Sequence, residues 1–459
     1  MIPHYSASDT IVAVATAPGV GAIAVIRLSG PEAITITNSV FRGKDLTQQP
    51  SHTIHFGTTR DQDKVIDEVL VSLFKAPTSY TKENVVEISC HGSDFIVQQI
   101  MRLLLQKGAR LAQAGEFTKR AFLNGQFDLA QAEAVADLIA SDSALSHEVA
   151  MKQMRGGFSL EIKRLRAELV HFASMIELEL DFGEEDVEFA DREQLRQLIL
   201  NIQRIIRELL KSFELGNVIK NGVPTVIVGK PNAGKSTLLN ELLNEEKAIV
   251  SDVPGTTRDF IEDEINIEGI TFRFIDTAGL RETTDKVEAI GVERTLQKLS
   301  QSSLIIYLFD INTTTPAELE EELAKLNPKK LPLLLVANKV DQASPATVAA
   351  FAQLEGLVSI SASEATNMET LKQALVEKVN LGKLNTKEQT IVTNLRHYDS
   401  LQKTYEALDD TLNGLGLGIS SDLVAADIRR ALYHLGSITG EITTDDLLDN
   451  IFTKFCIGK

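Results

Sequence analysis

The sequence has no tryptophan, two cysteines (Cys90 and Cys456) and only 5% aromatic residues among 459. Two isolated cysteines supply no disulfide framework, which excludes the stapled secreted domains that depend on one. No apolar run is long enough to span a bilayer. The first residues, Met1-Ile2-Pro3-His4-Tyr5-Ser6, lack the basic region and apolar core of an export signal. The expectation is a protein of the reducing cytoplasm with no membrane association. Positive charge is also scarce: 46 Lys and Arg stand against 64 Asp and Glu, a net of -18. That balance argues against a general nucleic-acid coat, because an acidic field repels a polyanion. Residues 1–124 are near neutral, with 12 Lys and Arg against 11 Asp and Glu, so the acidity is concentrated downstream. Glu177, Glu179, Asp181, Glu184, Glu185, Asp186, Glu188 and Asp191 follow one another without a Lys or Arg. Such a stretch fits a solvated helix end and loop, or a docking surface for a basic partner.

The length allows about three domains. Strand-like runs such as Ile11-Val12-Ala13-Val14 and Ile23-Ala24-Val25-Ile26-Arg27-Leu28 alternate with short helical patterns, predicting an α+β domain over 1–123. Gly19-Val20-Gly21-Ala22-Ile23-Ala24 has the spacing of a dinucleotide fingerprint. That fingerprint opens a helix, whereas here a β-branched strand begins at once, so a tight hairpin is expected. Over 124–221 the period becomes helical: Leu129, Ala132, Val135, Ala136 and Ile139 recur at helix spacing, as do Leu195, Leu198, Ile202, Ile205, Ile206 and Leu209. A nucleotide-binding pattern occupies 222–383, and helical periodicity resumes over 384–459. The tail is too short to bury its own core, so an α/β P-loop domain of the Ras-like kind, inserted within an all-α domain, is the economical arrangement.

The nucleotide signatures are complete. Gly229-Lys230-Pro231-Asn232-Ala233-Gly234-Lys235-Ser236 is a phosphate-binding loop: its glycines let backbone N–H groups curl around phosphate oxygens, Lys235 neutralises the β and γ phosphates, and Ser236 ligates magnesium. Thr225-Val226-Ile227-Val228 runs into it as a strand, and the helix from Ser236-Thr237 turns its N-terminus to the phosphates. Asp276-Thr277-Ala278-Gly279 closes the strand Thr271–Ile275, where Asp276 can hold magnesium through water and Gly279 can sense the γ-phosphate. Asn338-Lys339-Val340-Asp341 ends the run Leu333–Val336, and the Asp341 carboxylate can accept both donors of the guanine amidine edge, selecting GTP over ATP. Ser361-Ala362-Ser363 resembles the loop that finishes a guanine pocket. Between loop and magnesium strand lies Ser251-Asp252-Val253-Pro254-Gly255-Thr256-Thr257, in which Thr257 is the candidate switch threonine, or else the segment is a turn capped by threonines. Leu280 stands where Ras-like GTPases place a water-orienting glutamine. Glu282 and Glu288 are candidate carboxylates for that role, with Arg281 as a charge partner, or all three are solvated switch residues.

Taken together, the sequence resembles the MnmE (TrmE) family of tRNA-modification GTPases over its full length. The likeness is carried by Asp9-Thr10-Ile11-Val12-Ala13 with Arg27-Leu28-Ser29-Gly30; by Val85-Val86-Glu87-Ile88 with Cys90-His91-Gly92; by Gly115–Asn124 and Asp128–Ala134; by the GTPase motifs; and by Phe455-Cys456-Ile457-Gly458-Lys459. The resemblance implies a cytoplasmic homodimer that acts with the flavoprotein MnmG. Together they add a carboxymethylaminomethyl or aminomethyl group to C5 of the wobble uridine of certain tRNAs, supported by GTP hydrolysis. It implies a one-carbon unit carried by a tetrahydrofolate derivative, the 5,10-methylene or 5-formyl form, with Arg27, Glu87 and Lys459 on folate-contacting positions. Gln126 falls where the family has a lysine, and an amide cannot neutralise a carboxylate. It also implies potassium at Asn232, Ser251, Val253 and Thr256, replacing the charge of an arginine finger. Magnesium falls to Ser236 and Thr257 with Asp276, and Glu288 takes the water-orienting position. Cys456 reads as a nucleophile activated by Lys459, or as a small buried residue. Two other readings are a ribosome-assembly switch GTPase and a scaffold that merely dimerises, neither of which requires folate.

Overall fold

The computed structural model describes residues 9–181, 191–247, 263–275, 302–326, 332–351, 353–379 and 390–458. Two compact units form: Met1–Ile139, Lys152–Gln203 and Ser400–Lys459 make one, Ala140–Met151 and Arg204–Asp399 the other. Among the described residues no helix is long and apolar enough to cross a membrane.

In the first unit, β-branched runs alternate buried and solvated side chains and pair as β1 (Ile11–Val14), β2 (Ile23–Ser29), β3 (Phe41–Arg42), β4 (Thr53–Asp61), β5 (Lys64–Phe74), β6 (Val85–His91) and β7 (Arg110–Leu111). The sheet order is β3-β4-β5-β6-β2-β1-β7, and of its ladders only β1 with β7 is parallel. Helices α1 (Ala33–Val40) and α2 (Asp94–Gln106), the latter through Ile100 and Leu104, bury one face over Val12, Ile26, Leu28, Val71 and Ile88. Alternation sends Arg27 and Glu87 to the opposite face, where they sit directly across β2 and β6. β1 and β2 are an antiparallel pair as expected, but their connection, residues 15–22, is longer than a tight turn. The extra length is used: Gly21 N–H donates to the Gly92 carbonyl at 3.0 Å and Gly92 N–H to Ala22 at 3.3 Å, extending the pairing with β6.

The helical part of this unit comprises α3 (Glu116–Leu123), α4 (Leu129–Ala140), α6 (Gly157–Asp181), α13 (Ser421–Thr439) and α14 (Asp445–Phe452), α5 being Ala144–Met154. Ile162, Leu165, Leu169 and Ile176 on α6 recur at helical spacing and are fully buried, as are Ile428, Ala431 and Leu435 on α13, against which α6 packs. The chain passes between units four times, within α4, α5 and two long helices, α7 (Arg192–Asn221) and α12 (Leu395–Leu417).

The second unit is an α/β sheet of β8 (Val223–Val228), β9 (Asp263–Ile267), β10 (Ile270–Phe274), β11 (Leu304–Asp310), β12 (Leu333–Asn338) and β13 (Leu357–Ser359), in the order β13-β12-β11-β8-β10-β9. All ladders are parallel except β9 with β10. β11 is buried on both sides, with Ile306 and Leu308 in one core and Ile305, Tyr307 and Phe309 in the other, which is why Leu304–Phe309 is a continuous apolar run. Helices α8 (Lys235–Lys247), α9 (Pro316–Leu326), α10 (Pro345–Phe351) and α11 (Met368–Val379) complete it. Residues 140–151, expected simply as helical-domain sequence, pack into this unit. Val149 joins its core, the Asp142 carboxylate accepts the Thr271 hydroxyl at 3.1 Å, and the Asp142 carbonyl accepts Asn266 Nδ2 at 3.3 Å.

The run Gly115–Asn124, singled out above only as a family likeness, builds a buried ionic network. Glu116 and Arg120, one turn apart on α3, are 1% and 3% exposed and meet at 3.1 Å. Arg120 also reaches Asp9 at 2.5 Å and Glu83 at 3.2 Å, while Arg110 holds Glu116 at 2.6 Å and Asp9 at 2.7 Å. Burial raises the carboxyl groups of Glu116 and Asp9, but the hydrogen bonds and charges of the two arginines outweigh it and hold both below their ordinary values. Their stabilisation is therefore full above the unfolded values, near about pH 4, and is lost as pH falls through the depressed folded values. Arg120→Met should cost about 3 to 5 kcal/mol by leaving buried carboxylates uncompensated. Glu116→Gln should flatten the acid limb of the unfolding profile, measured by circular dichroism between about pH 2 and 6. An unchanged acid limb would show that ionisation of Glu116 contributes nothing to stability.

Candidate functional site

β8 delivers the chain into the phosphate loop, and α8 leaves it at Lys235. Gly229, Asn232 and Gly234 take positive φ of 153°, 63° and 97°, so the loop coils as a nest of inward N–H groups. Asn232, among non-glycine residues one of the more tolerant of this conformation, is placed at the loop's turn. The Lys235 ammonium donates to the Gly229 and Lys230 carbonyls at 2.8 Å each. Burial pushes its pKa down, a cost that phosphate charge offsets.

Asn338 does more than end β12. It is buried, its Nδ2 donates to the Ala233 carbonyl at 2.8 Å, and its Oδ1 accepts the Ala362 N–H at 3.0 Å. One side chain thus ties the phosphate loop to both base-recognition segments. A Cβ on Gly234 would collide with Asn338 Nδ2, so this loop position has no space for a side chain. Lys339, in left-handed backbone at φ 65°, pairs with Asp310 at the end of β11 at 2.8 Å. The Asp341 carboxylate is exposed, and the Ser361 hydroxyl holds its pKa below the ordinary value, so it stands ionised and open to a ligand's donors. Ser361 is buried and locked by reciprocal backbone bonds with Thr366 at 3.2 and 3.0 Å, with Ser363 Oγ at 3.2 Å from its own Oγ. Ser236 and Thr237 occupy the first turn of α8. Ser251, Asp252, Val253, Pro254, Gly255, Thr256, Thr257, Asp276, Thr277, Ala278, Gly279, Leu280, Glu282, Glu288 and Lys459 lie outside the described residues.

The second cluster sits on the open face of the first unit's sheet. Arg27 Nε and Nη2 both approach Glu87 Oε1 at 2.8 Å, and Arg27 Nη1 donates to the Gly458 carbonyl at 3.2 Å. The rings of Tyr80 and Phe117 lie 5.6 and 5.8 Å from the guanidinium, within cation–π range. The chain's last residues are brought here by a bridge between Ile457 and Ala114 and by the Gly115 N–H donating to Cys456 at 3.3 Å. Gly458 has φ 99°, and a Cβ there would run into the Val14 carbonyl, which explains the glycine of the terminal tetrapeptide. Gln126 is exposed. It lies between Gly125, whose carbonyl accepts Lys82 Nζ at 2.7 Å, and Phe127, whose ring packs 5.8 Å from Tyr80. No described bond links the Gln126 side chain to Arg27 or Glu87. Cys456 is exposed, which removes the small buried residue as a description of it. Buried Cys90 has its thiol pushed up to about 11 by burial and by Asp67, unsuited to nucleophilic work.

Sequence reasoning had not singled out Tyr80, Phe117, Asp310 or the brace made by Asn338. Only Asp310 carried a signal, as a lone carboxylate closing an apolar strand. From this geometry, Gly234→Ala should weaken GTP binding by about tenfold or more, because the methyl group dislodges Asn338 and with it both base-recognition segments. Asp341→Asn should shift preference from GTP toward XTP, since an amide presents a donor where the carboxylate accepts two. Nucleotide titrations check both, and unaltered GTP and XTP affinities would contradict the assignment.

The chain resembles known proteins over nearly its whole length. The family model described as the MnmE helical domain matches residues 129–456, and the one described as the GTP-binding protein TrmE N-terminus matches 10–126. The tRNA modification GTPase MnmE of Cytophaga hutchinsonii is 62% identical over 452 residues, covering 98% of each chain. The protein of the same name from Flavobacterium johnsoniae is 57% identical, with 98% of this chain and 99% of that one covered. Its namesake from Bacteroides fragilis is 53% identical at the same coverage. End-to-end likeness of this kind weighs against an assembly switch or a bare scaffold, and the chain belongs to the MnmE family of tRNA modification GTPases.

Proposed function

We propose that this GTPase is a potassium-dependent, magnesium-assisted enzyme that acts as a homodimer with the flavoprotein MnmG. In this reading the pair installs a carboxymethylaminomethyl or aminomethyl group on C5 of the tRNA wobble uridine, using a one-carbon unit carried by tetrahydrofolate. The observation that carries the folate reading is the meeting of Arg27, Glu87 and the Gly458 carbonyl between two aromatic rings. The donor set fits a reduced pterin. Glu87 Oε1 takes both contacts from Arg27, its Oε2 can accept from an amidine edge like that of the pterin ring, and the half-buried Tyr80 ring, packed against the buried Phe117, offers a π-face. Lys459, next in sequence to Gly458, would add a cation for the ligand's carboxylates. Exposed Ile54, Phe56 and Leu70, grouped on β4 and β5 of the same sheet, support the homodimer, since an apolar patch of this kind is the usual mark of a protein interface.

In the nucleotide site, Lys235, now on the Gly229 and Lys230 carbonyls, would supply charge to the β and γ phosphates, and the Ser236 hydroxyl would hold magnesium. Asp341 reads the base while Asn338 keeps the base segments in register with the phosphate loop. Leu280 offers no amide to orient water, and the family resemblance gives that role to Glu288. The potassium ion, held by Asn232 with Ser251, Val253 and Thr256, would supply the positive charge that offsets charge developing in the transition state.

Mass spectrometry of wobble nucleosides from cells lacking this protein should show loss of the C5 substituent, and an unchanged modification would sink the proposal while leaving GTP hydrolysis intact. Replacing potassium by sodium at equal ionic strength should slow hydrolysis without abolishing GTP binding. Asn232→Ala should remove most potassium stimulation, a loss of about 2 to 4 kcal/mol of transition-state stabilisation. Equal rates in both salts would eliminate the cation's role.

A further inference from the structure

The phosphate loop carries a second lysine for which nucleotide binding has no direct use. Lys230 follows Gly229, and its ammonium meets Glu322 Oε1 on α9 at 2.7 Å. The other oxygen of that carboxylate takes the hydroxyl of Tyr307 on β11. Tyr307 is 2% exposed, so the hydroxyl reaches Glu322 from within the core. Burial and the adjacent carboxylate both raise the phenol above its ordinary value, keeping it a donor.

An exposed ion pair alone contributes little, because two long side chains must be ordered to make it. Here the carboxylate is already fixed by a core hydroxyl, so less freedom remains to be lost. The backbone of residue 230 is engaged as well, since its carbonyl is one of the two that hold the Lys235 ammonium. Residue 230 is therefore gripped at both ends, by Glu322 through its side chain and by Lys235 through its main chain. Gly229, the residue before it, lies so close to the Leu308 carbonyl of β11 that a Cβ would strike it. Strand β11 thus backs the start of the loop directly at Leu308 and, through Tyr307 and Glu322, at Lys230.

We propose that Glu322, anchored by Tyr307, is a positioning residue for GTP binding: it fixes Lys230, whose carbonyl with that of Gly229 orients the Lys235 ammonium at the loop for incoming phosphates. Neither Glu322 nor Tyr307 touches the nucleotide. Their effect falls on affinity and release, with the chemical step spared.

The test uses the full chain and a fluorescent GTP analogue. Glu322→Gln and Tyr307→Phe should each weaken binding about fivefold, mainly through faster release, while kcat at saturating GTP stays within about twofold of wild type. The charge-swapped pair Lys230→Glu with Glu322→Lys should recover most of the affinity lost by either single change. Tyr307→Phe removes only a hydroxyl and keeps the core filled, so it remains informative if a charge change impairs folding. Wild-type affinity and release in both single variants would overturn the proposal. So would a fall in thermal stability with no change in affinity, which marks a purely structural contact, or a charge swap that recovers nothing.

Discussion

The buried guanidinium of Arg120 is the constraint on which the first unit's site depends. Three carboxylates from three separate parts of the chain converge on it: Asp9 before β1, Glu83 before β6 and Glu116 at the start of α3. A charge so placed is tolerable only when every partner is in position, so the network specifies where α3 must lie. That in turn locates the chain's last residues. Lys119 on α3 holds Asp449 on α14 at 2.7 Å, Phe122 packs near Phe452, and the Gly115 N–H meets Cys456. Only with α14 seated does the Gly458 carbonyl arrive at Arg27. The site on the open sheet face is thus the last link of a chain of contacts that begins in an ionic core.

The second unit solves the same problem with a neutral group. Asn338 satisfies a carbonyl of the phosphate loop and an N–H of the Ser361–Ser363 segment at once. An amide, having both donor and acceptor, can bridge two backbones where a carboxylate or an ammonium could serve only one kind of partner. The guanine specificity proposed for Asp341 would depend on this brace together with a second tie, the Val340 N–H donating to the Ile360 carbonyl at 3.2 Å, which holds the Asp341 loop to the Ser361 turn. Phosphate grip and base reading are coupled by geometry before any ligand is considered.

Much of this was legible in the sequence because it rests on local pattern. The strands Ile11–Val14, Ile23–Ser29 and Val223–Val228 announce themselves by β-branched runs, and the helix Leu129–Ala140 by its period. The phosphate loop is legible because its chemistry requires particular residues at fixed spacing. What escaped depends on pairs distant in sequence. Nothing local marks Tyr80 as the neighbour of Arg27, or reveals that Glu116 and Arg120 face inward where charged residues normally face out. The packing of Ala140–Met151 with the P-loop unit escaped for the same reason: the segment is helical, as its period says, but period cannot say which core Val149 enters. Cys456, read from sequence either as a nucleophile activated by Lys459 or as a small buried residue, is exposed, because Phe455 turns inward while Cys456 and Ile457 face outward, a distinction that no local pattern marks.

Charge sets the remaining constraint on how such a chain engages tRNA. A net of -18 means that the field of the whole molecule repels the phosphate backbone at long range, and the association of a protein with a nucleic acid is normally driven by the release of counterions from that backbone. Local cations would have to overcome this, yet on the open face of the first unit Arg27 is committed to Glu87, and Arg110 and Arg120 are spent in the ionic network. These arginines are structural charges, already neutralised, and are not free to pair with phosphates. The tRNA modification for which the family is named therefore requires attraction from cations other than these three arginines.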